Sequence, residues 1–236
     1  MTRAPRLYFS FRSPFSWMTV ERLLQVLADA HDIIEFIPYW DPDPQTEQAL
    51  AARGAGFHYT QMSKAKHLYI LADTKRLAQR LGLRMAWPID IDPWWEVPHL
   101  AWLRAQALGL GAAFYATLVE ARWERGENIC DPDVVRRLGD AIGADGDLLA
   151  LATEDPQIRA KGVDCLAAAW HDDIFGIPYL RLGRHRFWGY DRLDDFLEQF
   201  LPARGKSEAT DPLDGVPLPL RSMIGVYDAD TAGGCG

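Results

Sequence analysis

The sequence predicts a mixed α/β fold in which a βαβ unit and a ββα unit are separated by a long helical block. Three observations point there. Strand-like runs occur only within the first forty residues and again near residue 180, helical periodicity fills the middle, and helix starts are marked by a capping residue followed by proline.

Residues 6–11 (RLYFSF) are short, aromatic-rich and close to alternating, which reads as a strand. Ser13-Pro14 then opens a helix: serine suits the N-cap, and proline suits the first helical position, where its missing N–H has no partner to lose. Val20, Leu23, Leu24 and Leu27 follow at helical spacing and carry the helix to about Ala30. Residues 33–37 (IIEFI) form a second buried strand and complete a βαβ unit.

From Tyr39 to about Trp170 the pattern is helical. Residues 64–81 make one long helix closed by Gly82, and 98–108 and 112–125 make two more. Asp131-Pro132 and Asp155-Pro156 open helices running to about Leu138 and Trp170, and 142–153 holds a short one. The β signal returns at 177–182, turns at Gly183-Arg184 and continues through 185–188 as a hairpin. A last helix covers 192–201, with Leu193, Phe196, Leu197 and Phe200 on one face.

The domain organisation follows. Residues 1–38 and 174–201 form a core, 39–173 a helical insertion, and 202–236 a Pro-, Gly-, Asp- and Ala-rich tail expected to lack regular structure. With the insertion removed, the order βαβ-ββα is that of a thioredoxin-like core. The insertion makes the whole α/β chain DsbA-like.

Composition narrows the function classes. The chain has 236 residues, 48% hydrophobic, with a formal charge of -8 and a pI near 5.2. That charge repels phosphate backbones, so no nucleic acid is expected as partner. No apolar run has the length of a membrane span, and the amino terminus lacks a secretory h-region. Cys130, Cys165 and Cys235 form no CxxC and no metal-ligand spacing, so no metal site is expected. Sparse, odd-numbered cysteines fit a cytoplasmic protein.

Where thioredoxins carry CxxC at the start of the first helix, this chain has Ser13-Pro14-Phe15-Ser16. Serine cannot cycle between dithiol and disulfide, so disulfide exchange by this motif is excluded. The position still favours an external thiolate, because free amides and the positive helix end face it. A hydrogen bond to a charged group contributes ~1.5–3 kcal/mol, and the helix end ~0.3–1. Lowering a thiol pKa from ~8.5 to near 7 requires ~2 kcal/mol. Ser13 is equally at home as a helix cap, and both readings stand here. Ser16 reads as supporting.

The segment Tyr8–Trp17, YFSFRSPFSW, resembles the opening of 2-hydroxychromene-2-carboxylate isomerases and kappa-class glutathione transferases. Phe175–Leu180 (FGIPYL) and Phe187–Leu193 (FWGYDRL) resemble two further segments of that family. The helix from Lys66, with Leu68, Tyr69, Asp73 and Lys75, is similar as well, so the likeness runs from about residue 6 to 201.

The resemblance implies glutathione, or another low-molecular-weight thiol, as cofactor and Ser13 as the residue that holds its thiolate. It implies a cis peptide before Pro178, with the Ile177 backbone pairing with the cysteinyl part of the thiol. Asp191 would receive the γ-glutamyl end, with Tyr190 contributing its backbone N–H, and Lys66 would pair with the glycyl carboxylate. Each has a bland alternative: a strand-start proline, a helix-end acid and a solvated lysine. The family's asparagine about nine residues before that lysine is missing; the position falls near Phe57.

Phe15, Trp87 and Trp94 are candidates to wall a pocket for a small aromatic-derived substrate; core packing is the alternative for tryptophan. His99, His171 and His185 have no triad or metal spacing and read as structural or exposed. The resemblance further implies a homodimer and an isomerase in which a thiolate adds reversibly to a conjugated double bond. A transferase and a non-redox binding protein with a degenerate thiol site are the competing readings.

Overall fold

The computed structural model describes residues 4–58 and 62–204. Its centre is a four-stranded sheet in the order β2-β1-β3-β4. β1 (Arg6–Phe9) leads into α1 (Pro14–Val26), then a short α2 (Ala30–Ile33) and β2 (Glu35–Pro38). β1 and β2 are parallel, pairing Arg6 with Glu35 and Phe9 with Pro38. The helical block follows: α3 (Pro44–Ala51), α4 (Lys64–Arg80), α5 (Glu96–Ala107), α6 (Gly111–Val119), α7 (Pro132–Ala141), α8 (Gly146–Ala150) and α9 (Pro156–His171). β3 (Tyr179–Leu182) and β4 (His185–Trp188) make an antiparallel hairpin, and β3 also runs antiparallel to β1. A 3-10 turn, Tyr190–Arg192, feeds α10 (Leu193–Arg204).

β1 is buried at every residue because it is an interior strand, hydrogen-bonded on both edges and covered on both faces. One of those residues is Arg6. Its guanidinium donates to Asp172 at 2.7 Å and Glu35 at 2.8 Å, while Tyr8 Oη donates to Asp172 at 2.5 Å and Arg181 pairs with the same carboxylate. Burial pushes the Asp172 carboxyl up, but the bonds from Tyr8, Arg6 and Arg181 outweigh it and leave it below the usual carboxylate range. This cluster ties the start of β1 and the end of β3 to the residue after α9.

The predicted elements are present, with shifted edges. The first helix stops at Val26 because Leu27 leaves helical geometry (φ -132, ψ 87), and Ala30–Ile33 is a separate turn. α3 was not predicted, although Asp43-Pro44 repeats the cap-then-proline signal; Asp43 Oδ1 accepts the Thr46 N–H at 2.8 Å. The helix expected over 112–125 ends in a π-helical turn, Glu120–Glu124, whose Arg122 and Trp123 are both buried. α10 runs through Pro202 to Arg204, three residues past the expected boundary: in the final turn the proline disturbs only terminal bonds. The rest of the tail, with Cys235, lies outside the described residues. Between residues 39 and 173 the described residues hold helices and no strand. Among the described residues no helix is long and apolar enough to cross a membrane, and no cluster of metal-ligating side chains occurs.

Candidate active site

β1 delivers the chain to a tight turn, Ser10–Ser13, whose backbone closes by Ser13 N–H donating to Ser10 O at 3.1 Å. Ser13 takes an extended conformation (φ -92, ψ 117), and its Oγ accepts the Ser16 N–H at 3.1 Å. It is therefore the N-cap of α1, with Pro14 at the first helical position. A hydroxyl has one proton and two lone pairs. The cap occupies one lone pair, so the proton is left to donate to an external acceptor: capping and holding an anion are compatible. Ser13 and Phe15 are half-buried, whereas Ser16 is fully buried and accepts the Ser10 N–H on its Oγ at 3.3 Å. The Phe15 amide, also in the first turn, has no carbonyl partner among the described residues.

Sheet topology brings two further predicted positions to this edge. Tyr8 pairs with Tyr179, so the chain entering β3 passes the end of β1, and the Ile177–Pro178 peptide there is cis. Pro178 O accepts the Gly189 N–H at 2.9 Å, which fastens this loop to the end of β4. Gly189 has a φ of 97, a backbone conformation that favours glycine, and the chain then turns into Tyr190 and Asp191. The Arg22 guanidinium of α1 lies over the Tyr190 ring at 5.7 Å, and Asp191 is exposed at the mouth of α10.

Gly176 sits under close packing in the same loop. A Cβ there would lie 2.6 Å from Trp188 Nε1 and 3.0 Å from Trp188 Cε2. Gly176→Ala is expected to displace the indole and the Ile177–Pro178 segment, at a cost of about 1–3 kcal/mol. Urea unfolding checks it; an unchanged midpoint would contradict the packing.

Lys66 is half-buried in the first turn of α4, and its amide donates to the cap Ser63 at 3.2 Å. The next residue, His67, has its ring 6.4 Å from Trp87. Trp87 meets Trp123 edge-on at 6.0 Å, and Trp123 stacks on Trp17 of α1 at 5.9 Å. This aromatic series joins the start of α4 to the helix that Ser13 caps. Trp94 is placed elsewhere: its indole N–H donates to Asp43 at 3.2 Å and the Arg159 guanidinium lies over its ring. Phe57 packs on Tyr39, with ring centroids 4.6 Å apart.

The surroundings of the turn include His99, which reads from the sequence as structural or exposed, and two arginines that the sequence does not single out. His99 of α5 is fully buried, and Arg12 of the turn pairs with Asp41 and lies 5.9 Å from the Trp95 ring centre. Arg122 lies between Trp95 and Trp123, at 4.8 and 4.7 Å, and makes two bonds to Asp90 at 2.8 and 2.9 Å. No spacing rule links residues up to 110 positions apart, so only the fold reveals this grouping. Burial pushes the Cys130 and Cys165 thiols up to about 12, which makes both poor nucleophiles at neutral pH. Two clefts of about 620 and 410 Å³ open near Pro156 in the helical block, away from Ser13.

Comparison with known proteins fits this geometry. The model of the DSBA-like thioredoxin domain matches residues 6–201. A 2-hydroxychromene-2-carboxylate isomerase of Sphingobium xenophagum is 27% identical over 203 residues, covering 85% of this chain and 99% of its own. One from Pseudomonas putida is 24% identical over 189 residues, covering 79% and 88%. A solved 2-hydroxychromene-2-carboxylate isomerase superposes with a TM-score of 0.67 at 20% identity, covering 87% of this chain and 99% of that one. A cytosolic disulfide reductase of Pseudomonas aeruginosa, DsbM, solved with GSH, gives 0.54 at 19% identity, covering 84% and 98%. The chain belongs to the family of DSBA-like thioredoxin domains, and within it is similar to the 2-hydroxychromene-2-carboxylate isomerases.

Proposed function

We propose that this chain is a glutathione-dependent isomerase of the 2-hydroxychromene-2-carboxylate isomerase type. The observation that carries the reading is the Ser13 hydroxyl, whose capping bond to the Ser16 amide leaves its proton free at the positive end of α1. That is a donor set suited to a sulfur anion. The isomerase names of the relatives supply the reaction class, and one fold neighbour was solved with GSH.

Glutathione held here would supply a thiolate nucleophile for reversible addition to a conjugated double bond, chemistry that isomerises the bond without consuming the thiol. The protein's part is to hold and orient. Ser13 donates to the sulfur and the first-turn amide of Phe15 adds to the field. The Ile177 backbone beside Pro178 pairs with the cysteinyl unit, and Asp191 with the Tyr190 N–H receives the γ-glutamyl end. Lys66 neutralises the glycyl carboxylate. With Phe57 where the family has asparagine, the lysine and the Ile177 backbone hold the peptide without that amide. Phe15 and Trp87 face the aromatic part of the substrate; Trp94, engaged with Asp43, is left out of this assignment. A homodimer in the cytoplasm belongs to the same proposal.

The test follows free thiol while 2-hydroxychromene-2-carboxylate isomerises. Isomerisation that requires glutathione and leaves its concentration unchanged is the expected result. Stoichiometric loss of thiol would make the protein a transferase. No thermal shift and no binding heat at millimolar glutathione would overturn the thiol reading altogether.

A further inference from the structure

His99 lies 89 residues from Ser10 in sequence and touches the serine turn from the helical block. Its Nδ1 lies 2.7 Å from the Trp95 carbonyl, a group that only accepts, so Nδ1 carries the proton. Its Nε2 is then the bare acceptor. It takes the Phe11 N–H at 3.2 Å and the Ser10 hydroxyl at 3.1 Å, and Ser10 Oγ in turn accepts the Arg12 N–H at 3.2 Å. Two successive amides of the turn and the Ser10 side chain thus depend on one ring nitrogen. The ring is wedged by Trp40, stacked at 5.0 Å, and by Phe11 at 5.1 Å, so it has no freedom to swing away.

The consequence concerns Ser13. Its amide is held by the Ser10 carbonyl, so its orientation over α1 is set by how Ser10–Arg12 is fixed. The cap bond to Ser16 fixes one direction of the hydroxyl; the backbone behind it fixes the other. We propose that His99 is a positioning residue for Ser13: a neutral imidazole on the helical block that sets the serine turn in the geometry that stabilises a bound thiolate. This rests on the proposed thiol chemistry. It adds that the helical block shapes the thiol site through one hydrogen-bonding side chain.

Three variants test it. In His99→Leu the Phe11 amide and Ser10 hydroxyl lose their acceptor; in His99→Gln an amide oxygen can reach the Nε2 position. Ser10→Ala keeps the imidazole and removes the hydroxyl link, and it serves if His99→Leu does not fold. A readout that needs no glutathione is amide exchange at Phe11 and Arg12. Their protection is expected to fall at least tenfold in His99→Leu, and at Arg12 in Ser10→Ala, with recovery in His99→Gln. With glutathione bound, thiolate absorbance near 240 nm should titrate at higher pH in the Leu and Ala variants, and kcat should fall more than KM rises. Wild-type-like thiolate titration and kcat within twofold, alongside a lowered Tm, would make His99 purely structural and overturn the proposal. If the wild-type protein itself shows no thiolate signal while the exchange pattern follows the variants, the thiol function has failed and the turn-setting geometry has not. Unchanged exchange in every variant would remove the geometry itself.

Discussion

Ser13→Ala is expected to yield a folded protein that has lost most of its turnover. On the proposed thiol chemistry, two separate bonds disappear with the hydroxyl. The capping bond to the Ser16 amide contributes about 1 kcal/mol to stability, a small part of the ~5–15 kcal/mol that holds a domain together. The bond proposed to the thiolate would be made to a charge and would contribute about 1.5–3 kcal/mol, which at ~1.4 kcal/mol per tenfold is roughly 10- to 150-fold in rate. Urea unfolding and kcat read the two losses independently. Ser13→Asp separates them more sharply. Aspartate caps as well as serine and suits a helix N-terminus, so stability should stay near wild type. Its carboxylate, however, would stand against the sulfur anion, so turnover should fall at least as far as in the alanine variant. Activity within twofold of the parent in either variant would reduce Ser13 to a cap.

That pair of variants also shows where sequence reading stops. Ser-Pro after an aromatic strand is enough to place the start of α1, because capping and the missing proline N–H are local effects. Whether the hydroxyl has anything left to offer is a question of which lone pair is occupied, and that needs the Ser16 amide in place. The element order was legible because the βαβ and ββα patterns constrain pairing tightly, whereas the parts given to Ser13, Pro178 and Asp191 came from the family resemblance. Asp43-Pro44 was as clear a helix start as Asp131-Pro132, but α3 has eight residues and a weak apolar face, so its periodicity hardly stands out. His99 and Arg122 were illegible for a different reason. Each works through partners brought together by packing of the helical block on the sheet, and nothing local marks a histidine that receives a backbone amide 88 residues away. Tryptophan count suggested an aromatic wall; the fold divides it, Trp87 joining Trp123 and Trp17 while Trp94 turns to Asp43.

The largest effect on stability is expected at the opposite end of the sheet, in Asp172→Asn. The substitution preserves shape and removes the charge that Arg6, Tyr8 and Arg181 converge on. Arg6 and Asp172 are each no more than 7% exposed, so water cannot replace what is lost. Breaking a buried pair in this way costs about 3–5 kcal/mol; Glu35, which also pairs with Arg6 from a more exposed position, holds the loss toward the lower figure. The pH dependence has a definite sign. Asp172 has a folded-state pKa below its unfolded value of ~3.9, so the unfolded chain takes up the proton first as the solution is acidified. Its stabilisation is present in full well above the unfolded value and is lost as pH falls through the folded one. The gap between wild type and Asp172→Asn in urea midpoint should therefore be widest near neutrality and close in acid. A gap below 1 kcal/mol at pH 7, or one that widens on acidification, would show that the cluster does not clamp the strands. Since Arg6 begins β1 and Ser13 follows its end, kcat measured well below the variant's Tm should stay near wild type, which keeps this loss of stability distinct from any disturbance of the serine turn.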